Sequence, residues 1–552
     1  MMANSTKKPG GGASGSGGGG GGTGSFACWS SSSYSAILVF IVPLVVVFGL
    51  ISLLSPTSSN WVFISNYYLP GPSLNTSATN SSEIGTSHDD VLGLRSTVVV
   101  MDMHSSTIEE VHANDYVQNR SASPLLAVEE ATPPPLEQPI INGTKEEDPM
   151  KETHASAMNN SATRQKEYTS LGRLEGRLRR ARVAIREARF ANKTHDADYI
   201  PNGPMYWNAN AFQRSYLEME KQFKVYVYEE GEQPLFHNGP CKSIYSMEGN
   251  FIHEIEVNKQ FRTRNPEEAH VYFLPYSVTM LVRFVYVRDS HDFSPIRQTV
   301  RDYVNIISTK YPYWNRSLAA DHFTLACHDW GPETSNSDPY LRKNSIRGLC
   351  NANTSEGFNP SKDVSFPEIN LQTGDTHGFL GGPSPRLRSI LAFFAGGVHG
   401  PIRPILLEHW ENKDEDLRVH QYLPKGVNYY DMMRKSKFCL CPSGYEVASP
   451  RVVEAIYTGC VPVLISDHYV PPFSDVLNWK SFSVEVSVND IPNLKNILTS
   501  ISTRQYLRMQ RRVVQVRRHF EVNSPPKRFD VFHMILHSIW LRRLNVKVHD
   551  DQ

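Results

Sequence analysis

The sequence predicts an α/β protein with two domains, and three observations support that fold class. From residue 223 onwards, short apolar segments typical of strands alternate with longer segments of helical periodicity. The alternation forms two blocks, residues 166–382 and residues 383–552, joined through a stretch rich in Asn, Ser, Pro and Gly. Within the second block, residues 437–467 have the length and pattern of one parallel βαβ unit.

Composition sets the scale of the protein and argues against one class of partner. The chain has 552 residues, of which 40% are hydrophobic and 20% charged, so it is long enough to build two cores. Its formal net charge is zero. A balanced charge gives no indication of nucleic-acid binding, which an excess of basic residues would mark.

Three segments are predicted to precede the globular part. Residues 1–33 are rich in Gly and Ser and predict a disordered cytosolic tail. Residues 34–55 include 19 uncharged, mostly aliphatic residues from Ala36 to Leu54. They predict a transmembrane signal anchor, because about 20 apolar residues span a bilayer. Residues 56–165 lack apolar periodicity and predict a disordered lumenal stem.

Flanking charges orient the predicted span. Lys7 and Lys8 precede it, whereas the first charged residue after it is Glu83. Positive charge on the cytosolic side predicts a type II protein whose globular part is lumenal, and a short span suits the thinner endomembranes. A cleaved signal peptide is the alternative, but the segment starts late and is long for an h-region.

N-glycosylation sequons cluster in the predicted stem and agree with a lumenal location. Their acceptor residues are Asn75, Asn80, Asn119, Asn142, Asn159, Asn192, Asn315 and Asn353. Cysteines fit the same compartment, because disulfides form in an oxidising lumen. Cys439 and Cys441 resemble a metal-binding pair, but no second pair has ligand spacing, so we expect core or disulfide cysteines rather than zinc ligands.

The globular part is predicted to begin with an Arg-rich amphipathic helix at residues 171–191. Its apolar stripe consists of Leu171, Leu174, Leu178, Ala181, Val183, Ile185 and Phe190. Such a helix can lie on a membrane surface or pack its stripe on the domain that follows. We expect the second arrangement.

The first block supplies the candidates for a general base. Predicted strands at 223–229, 269–275 and 322–327 alternate with predicted helices at 244–261 and 295–310. The third strand delivers His328 and Asp329 to its carboxyl end, where an open α/β sheet carries function. The candidates are Asp329, His328 and His322. For each of them, the alternative is a purely structural role.

The βαβ unit of the second block predicts a nucleotide site. Its strands are residues 437–441 and 461–465, Ser449 is a predicted N-cap, and Gly459 suits the residue after the helix. Arg451 and Glu454 share one helical face. A cation for a diphosphate and a carboxylate for two ribose hydroxyls are what a nucleotide sugar requires, although a surface ion pair is the alternative.

A glycine-rich turn begins the second block and predicts a second contact to phosphate. A buried strand from residue 389 leads to Gly396, Gly397 and Gly400, and Arg403 lies in the first turn of the next helix. Glycines let a backbone approach a phosphate closely, and Arg403 would supply the countercharge. Helices at 429–436, 502–520 and 529–544 and an edge strand at 477–486 complete the block.

Several ordered motifs resemble one known family. They are Phe-Lys-Val-Tyr-Val-Tyr-Glu, Pro-Glu-Glu-Ala-His-Val-Tyr-Phe-Leu-Pro, Cys-His-Asp-Trp-Gly-Pro, Phe-Ala-Gly-Gly and the run from Ser-Gly-Tyr-Glu-Val-Ala-Ser-Pro-Arg to Val-Leu-Ile-Ser-Asp. From about residue 168 to the carboxyl terminus, the chain resembles the exostosin family, glycosyltransferase family 47, and its plant members in particular.

The resemblance implies a GT-B fold, in which two Rossmann-like domains face a cleft, and a type II Golgi membrane protein. It implies sugar transfer from a nucleotide sugar, UDP-linked in our prediction, to a cell-wall polysaccharide or a glycoprotein glycan, with inversion and without a metal or other cofactor. A complex with other glycosyltransferases is a further expected partner. The implied donor-binding residues are Gly396, Gly397, Arg403, Ser443, Gly444, Glu446, Ser449, Arg451 and Glu454; Glu446 and Glu454 have the Glu-x7-Glu spacing of many GT-B enzymes.

Three alternatives remain at this point. A GT-A enzyme would need an Asp-x-Asp metal motif, which residues 196–198 and 414–416 provide by letter but outside any buried strand. A glycoside hydrolase would need paired acids and no nucleotide site. A non-catalytic lumenal protein that binds glycans or scaffolds a glycosyltransferase complex would keep the fold without turnover.

Overall fold

The structure, a computed structural model, describes residues 169–190, 196–374, 376 and 378–549. The predicted tail, span and stem lie outside these residues, as do the sequons at Asn75, Asn80, Asn119, Asn142, Asn159 and Asn192. Among the helices of the described ranges, none is both long enough and apolar enough to cross a membrane.

The first block folds into a parallel sheet with helices on its faces. Its strands are β1 (Val225–Val227), β2 (Arg262–Thr263), β3 (Val271–Phe273), β4 (His322–Ala326), β5 (Ile346–Leu349) and β6 (Val364–Ser365), in the order β2-β1-β3-β4-β5-β6. Its helices are α1 (Ser170–Ala188), α2 (Ala209–Gln222), α3 (Ser246–Val257), α4 (Val278–Phe284), α5 (Ser294–Lys310), α6 (Pro312–Ser317), α7 (Gly331–Ser335) and α8 (Pro339–Lys343).

The second block forms another parallel sheet, with the order β11-β10-β9-β7-β8. Its strands are β7 (Ile390–Ala395), β8 (Leu417–His420), β9 (Ser436–Pro442), β10 (Val461–Ile465) and β11 (Val484–Glu485). The helices that follow the first sheet are α9 (Ile402–Trp410), α10 (Tyr429–Lys435), α11 (Arg451–Thr458), α12 (Leu494–Ser500), α13 (Thr503–Val516) and α14 (Val531–Asn545). The α/β class with parallel sheets is therefore confirmed.

The βαβ unit at 437–467 forms where the sequence predicts it. Strand β10 has the predicted bounds and is buried throughout, as expected for a strand covered on both faces. Gly459 ends α11 with a left-handed φ of 70°, which a residue without a side chain adopts at no steric cost. The N-cap prediction was off by one residue, since α11 begins at Arg451 and Pro450 occupies the cap position.

Two other local predictions need correction. The predicted edge strand at 477–486 is only partly extended, because Trp479–Ser481 form a 3₁₀ helix and β11 is confined to Val484–Glu485. Helix α1 packs on the domain through Leu171, Leu174, Leu178 and Ala181 as expected. Val183 and Phe190, however, are 46% and 90% exposed, so the buried stripe is narrower than predicted.

The carboxyl-terminal helix α14 belongs to the first sheet rather than to the second. Arg543 Nε donates to the carbonyl of His270, just before β3, over 2.7 Å. Arg542 Nε donates to the carbonyl of Asp363, just before β6, over 2.9 Å. The domain assignment of 383–552 therefore fails for its last helix, because the chain returns to the first block after completing the second.

Disulfides join neighbouring segments within each sheet. Cys327 pairs with Cys350, and Cys439 pairs with Cys460. Cys441 keeps a buried free thiol. The metal interpretation of Cys439 and Cys441 is wrong, because Cys439 is consumed by its disulfide.

Candidate active site

The three base candidates lie at opposite ends of strand β4. His322 opens the strand, is fully buried, and has both ring nitrogens engaged: Nδ1 lies 2.8 Å from Asp321 Oδ1, and Nε2 lies 2.8 Å from the hydroxyl of Tyr228. His322 and Asp321 are thus core residues at the amino end of the strand. The prediction of His322 as a base does not hold, because a parallel sheet presents its functional loops at the carboxyl ends.

His328 follows the carboxyl end of β4 but is held in a form that cannot act as a base. Its Nδ1 accepts a hydrogen bond from the backbone N–H of Trp330 over 3.1 Å, so Nε2 carries the proton of the neutral ring. Burial lowers the pKa of His328 to about 3, and the side chain is 4% exposed. His328 is therefore a buried neutral ring rather than a base, and its Nε2 has no hydrogen-bond partner among the described residues.

Asp329 remains the base candidate that the geometry supports. It lies one residue beyond His328 and is partly exposed. The hydroxyl of Tyr245 donates a hydrogen bond to Asp329 Oδ2 over 3.0 Å. A donor at one oxygen stabilises the ionised carboxylate, which is the form that accepts a proton.

Asn351, which follows strand β5, connects the two sheets. Its Nδ2 donates to Oε2 of Glu446, and its Oδ1 accepts from the backbone N–H of Val447 over 3.2 Å. Glu446 lies in the loop after β9. The disulfide from Cys327 to Cys350 places Asn351 beside the loop that carries Asp329.

Glu446 and Asp329 act on each other electrostatically. Burial, and after it the negative charges of Asp329 and Glu356, raise the pKa of Glu446 to about 9. Glu446 therefore holds a proton at neutral pH. Acids from the loops of two different sheets thus meet in one cluster, one as donor and one as proton acceptor.

The glycine-rich turn is close-packed against protein atoms. A Cβ on Gly400 would lie 1.8 Å from the carbonyl oxygen of Gly444, and the φ of Gly400 is +67°, so only glycine fits there. A Cβ on Gly444 would lie 2.9 Å from Arg403 Nη2, and one on Gly397 would lie 2.8 Å from His399 Nε2. The turns after β7 and β9 therefore touch, with Arg403 beside them.

Arg451 is fixed between the same two turns. Its Nη2 donates to the carbonyl of Ala395 over 3.0 Å, and a Cβ on Gly396 would lie 2.8 Å from Nη2. Its Nη1 donates to Ser449 Oγ over 3.3 Å, and its guanidinium lies 4.7 Å above the ring centroid of Phe394. These contacts hold a buried positive charge at the carboxyl ends of β7 and β9, as a diphosphate site requires.

The backbone amides at the start of α11 are bonded within the chain and are not free to bind an anion. The N–H groups of Val453 and Glu454 both donate to the carbonyl of Pro450 over 3.0 Å, and that of Val452 donates to Ser449. The preceding loop is self-bonded as well, since Ser443 Oγ donates to the carbonyl of Val447 over 3.3 Å. The positive charge of this site therefore comes from guanidinium groups.

Glu454 already accepts two hydroxyl hydrogen bonds, though not from a ribose. Tyr429 donates to Oε2 over 3.0 Å, and Tyr430 donates to Oε1 over 3.2 Å. Burial raises the pKa of Glu454. The carboxylate thus has the two-hydroxyl geometry that was predicted, with tyrosine hydroxyls in those positions.

The two Asp-x-Asp sequences are ion-paired within the fold. Asp414 and Asp416 contact Lys495 Nζ at 2.6 and 3.0 Å. Asp196 binds Arg528 at 3.0 Å, and Asp198 lies 3.7 Å from the same arginine. Basic side chains therefore occupy the positions in which a GT-A enzyme would hold a metal.

Of the two sequons that the structure describes, Asn315 is exposed and Asn353 is buried. Asn353 is 8% exposed, and its Oδ1 caps a 3₁₀ helix by accepting the N–H of Ser355 over 3.0 Å. Its Nδ2 donates to Glu356 over 3.0 Å. A glycan on Asn353 does not fit this packing, so that predicted site is wrong for the folded chain.

Comparisons with known proteins identify the family. The family model of the exostosin GT47 domain matches residues 219–501. The chain belongs to the exostosin GT47 family. A protein of Arabidopsis thaliana named probable glycosyltransferase At5g03795 is 57% identical over 530 residues, which span 95% of this chain and 97% of that protein. This exostosin GT47 chain is a glycosyltransferase.

More distant relatives of the exostosin GT47 chain carry more specific names. Probable beta-1,4-xylosyltransferase IRX10 of Arabidopsis thaliana is 29% identical over 350 residues, covering 58% of this chain and 82% of that protein. A crystal structure of Anabaena Alr3699/HepE in complex with UDP and glucose aligns with 57% of this chain and 97% of that one, at 9% identity and a TM-score of 0.29. That score is too low to establish a shared fold.

The site of the exostosin GT47 chain also contains residues that the sequence interpretation missed. They are Tyr245, Glu248, Asn351, Tyr429 and Tyr430. Asn351 lies just beyond the carboxyl end of buried strand β5, after Cys350, so the rule that selected His328 and Asp329 would have selected it too. Tyr245 and Tyr430 gave no comparable signal, because their partners lie 84 and 24 residues away in the chain.

Proposed function

We propose that this glycosyltransferase moves a sugar from a UDP-sugar to a hydroxyl of a glycan, with inversion, in a GT-B arrangement of its two sheets. One observation carries the proposal. The negative charge of the partly exposed Asp329 acts on Glu446, which Asn351 binds, while Arg451 and Glu454 stand on the helix that follows the Glu446 loop. A base and a diphosphate site on adjoining elements are what sugar transfer requires.

The second sheet would hold the donor. Arg451 and Arg403 supply positive charge to the diphosphate, and Glu454 accepts the ribose hydroxyls once the tyrosine hydroxyls yield. Gly396, Gly397, Ser443, Gly444 and Ser449 shape the turns around it. The guanidinium groups then stabilise the charge that develops on the departing UDP.

The transfer itself would be an in-line displacement. Asp329 takes the proton of the acceptor hydroxyl, the hydroxyl oxygen forms a bond to the anomeric carbon, and the bond from that carbon to the diphosphate oxygen breaks. The electron pair leaves with UDP, and the proton stays on Asp329. Glu446, which holds its own proton, does not compete with Asp329 for the proton of the acceptor hydroxyl.

Acceptor and location are part of the same proposal. The relatives named as a xylosyltransferase and glucuronosyltransferases favour a cell-wall polysaccharide as the acceptor, with a glycoprotein glycan as the second class. The span predicted at residues 34–55 would anchor the chain as a single-pass type II protein of the Golgi membrane, with the catalytic part lumenal. Catalysis without a metal is proposed because Lys495 and Arg528 pair with the Asp-x-Asp carboxylates.

The test is a donor panel with the full-length protein in detergent. UDP release is measured from UDP-glucose, UDP-galactose, UDP-xylose, UDP-arabinose, UDP-glucuronate and UDP-galacturonate, with and without xylan, pectin and N-glycan acceptors. We expect release from one or two donors, undiminished by EDTA, and a product anomer opposite to the donor's. Binding of glycans without any UDP release would instead support the non-catalytic alternative.

Variants locate the donor site. Arg451→Ala and Glu454→Ala should each weaken UDP binding at least about ten-fold, because each removes a direct contact to the nucleotide. Arg418→Ala, an exposed arginine on the neighbouring strand β8, is the matched control and should bind UDP like the wild type. Unchanged UDP affinity in both site variants would overturn the donor assignment.

A further inference from the structure

We propose that Glu248 and Tyr245, at the amino-terminal end of α3, are positioning residues that fix the Asp329 carboxylate for proton transfer. The inference rests on the proposed function and deepens it, because it names what holds the base in place. Neither residue belongs to the donor site. Both come from the segment that follows strand β1, while Asp329 follows β4.

Glu248 is fully buried and accepts hydrogen bonds from four donors. Its Oε1 accepts from the backbone N–H groups of Cys327 and His328 over 2.8 and 2.9 Å. Its Oε2 accepts from the hydroxyl of Ser277 and from the N–H of Thr279, the latter over 3.0 Å. Burying a carboxylate is costly, and these four hydrogen bonds offset part of that cost: burial raises the pKa of Glu248, and the four donors act against the rise.

The four donors belong to two different segments. Ser277 and Thr279 lie at the start of α4, which follows strand β3, and Cys327 and His328 follow strand β4, whereas Glu248 itself lies in the first turn of α3, after β1. One side chain thus joins the connections that follow three strands of the first sheet. The backbone that it holds ends one residue before Asp329.

The chemistry of the four donors explains why an acid stands at this position. A carboxylate accepts at both oxygens, whereas a glutamine would present an N–H₂ group to at least one of the backbone N–H groups that now donate. Replacing Glu248 by Gln keeps the volume of the side chain but places its amide N–H₂ donor opposite a backbone N–H donor. The segment from Cys327 to Asp329 would then shift away from its present position.

Tyr245 completes the arrangement from the same end of α3. Its hydroxyl donates to Asp329 Oδ2 over 3.0 Å, and its ring centroid lies 4.7 Å from that of His328. Glu248 therefore fixes the backbone of the loop, and Tyr245 fixes the orientation of the carboxylate. A hydrogen bond to the ionised form also holds the pKa of a carboxyl group down, so removing the hydroxyl should make Asp329 more basic.

The experiment uses the full-length protein and the UDP-sugar that the donor panel selects, and it compares Glu248→Gln and Tyr245→Phe with two control variants. Glu256→Gln changes an acid on the same helix that pairs with His237, and Tyr303→Phe removes a buried hydroxyl that has no hydrogen-bond partner in the part of the chain that the structure describes. Each variant is measured for UDP affinity, for KM and kcat of UDP-sugar turnover, for the pH profile of kcat, and for its melting temperature.

We expect Glu248→Gln to lower kcat at least about ten-fold while UDP affinity and the donor KM stay within two-fold, because only the base is displaced. Tyr245→Phe should move the acidic limb of the kcat profile to higher pH. The control variants should match the wild type in kcat and in profile. A purely structural role would lower melting temperatures and leave the kcat and pH profile of the folded fraction unchanged, which would overturn the inference.

Two further outcomes separate the proposals. If Glu248→Gln does not fold, Tyr245→Phe decides, and an unshifted acidic limb overturns the inference. An inactive Asp329→Asn variant beside wild-type behaviour of Tyr245→Phe and Glu248→Gln would overturn the positioning inference and leave the proposed function standing. A fully active Asp329→Asn variant would overturn the assignment of the base and the positioning inference together.

Discussion

Asn351 donates a side-chain hydrogen bond to Glu446, and through it an edge of the first sheet meets a loop of the second. The same asparagine accepts from the N–H of Val447, so its amide group is held at both ends. Contacts between the carboxyl-end loops of two sheets make the position of one sheet depend on the other. The pKa of Glu446, a residue of the second sheet, is therefore raised by burial and, after it, by acidic residues of the first sheet.

The first prediction concerns pH and the stability of the fold. The pKa of Glu446 is raised from 4.5 to about 9, so between these values the folded protein holds a proton that the unfolded chain releases. The native state then binds more protons, and stability falls as pH rises through this window. Glu446→Gln, which mimics the protonated acid, should flatten that slope and stabilise the protein at pH 7 by at least about 1 kcal/mol.

Urea denaturation at pH 5, 7 and 9 measures this effect. Glu415→Gln, an exposed acid in the same domain, is the control and should keep the wild-type slope. Equal slopes in all three proteins would show that Glu446 ionises at its ordinary pKa.

The second prediction concerns Tyr430 and the donor. Its hydroxyl occupies Glu454 Oε1 in the free protein, so a ribose hydroxyl has to displace it. Tyr430→Phe removes the competing donor and takes one hydrogen bond from Glu454 in the free state, at a cost of about 1 kcal/mol. UDP, which carries the ribose, should therefore bind the variant about three- to ten-fold more tightly.

Calorimetric titration with UDP tests this competition. Tyr422→Phe is a matched control, because Tyr422 is 76% exposed and remote in sequence from Glu454. Weaker binding by Tyr430→Phe would mean that the tyrosine stays in the bound complex and helps to form the pocket. The ribose would then have to bind elsewhere than on Oε1.

Features that depend on residues close together in the sequence could be predicted, whereas features that depend on residues far apart in the sequence could not. Strand β10 and the Gly459 cap were predicted closely, because apolar runs and left-handed caps depend on adjacent residues. Arg451 and Glu454 were placed together because helical spacing is local. The positions of Tyr245 and Tyr430 depend on packing between distant segments, which no local pattern encodes.

The errors have equally physical causes. His322 was weighed as a base because of its residue type, although its place at the start of a parallel strand makes it a core residue. The assignment of the glycine turn to phosphate stays a prediction, and the structure adds a role that the sequence did not reveal: the missing side chain of Gly400 lets two turns touch. Helix α14 was assigned to the second domain because chain order does not reveal that it returns to the first.

The third prediction compares the two disulfides. Their cysteines are 23 and 21 residues apart, so loss of either should cost a similar stability of about 3 kcal/mol. Only the pair Cys327 and Cys350 borders both Asp329 and Asn351. Cys327→Ala with Cys350→Ala should lower kcat at least about ten-fold, whereas Cys439→Ala with Cys460→Ala should lower it less than about three-fold.

Both double variants are assayed for UDP-sugar turnover and for urea midpoints under the same conditions. Equal losses of kcat at equal losses of stability would indicate that the disulfides act only through global stability. A larger loss in the pair that includes Cys439 would place the critical constraint in the second sheet instead.

The fourth prediction distinguishes the two described sequons, provided that the chain is lumenal as proposed. Asn315 is exposed on helix α6, and its Nδ2 donates a hydrogen bond to the carbonyl of Ser308. Because the side chain is exposed, a glycan attached to it can extend into solvent. Asn353 is buried and uses its amide group to bind Ser355 and Glu356 in a turn that contacts His468. Glycopeptide mass spectrometry of the full-length protein from a plant secretory host should find Asn315 occupied and Asn353 bare.

Two variants check this difference. Asn315→Gln should remove one glycan mass. Asn353→Gln should remove none, but it should destabilise the protein by about 1 kcal/mol through its lost cap. An occupied Asn353 in folded, active protein would contradict the packing of this turn, and a bare Asn315 would count against a lumenal location.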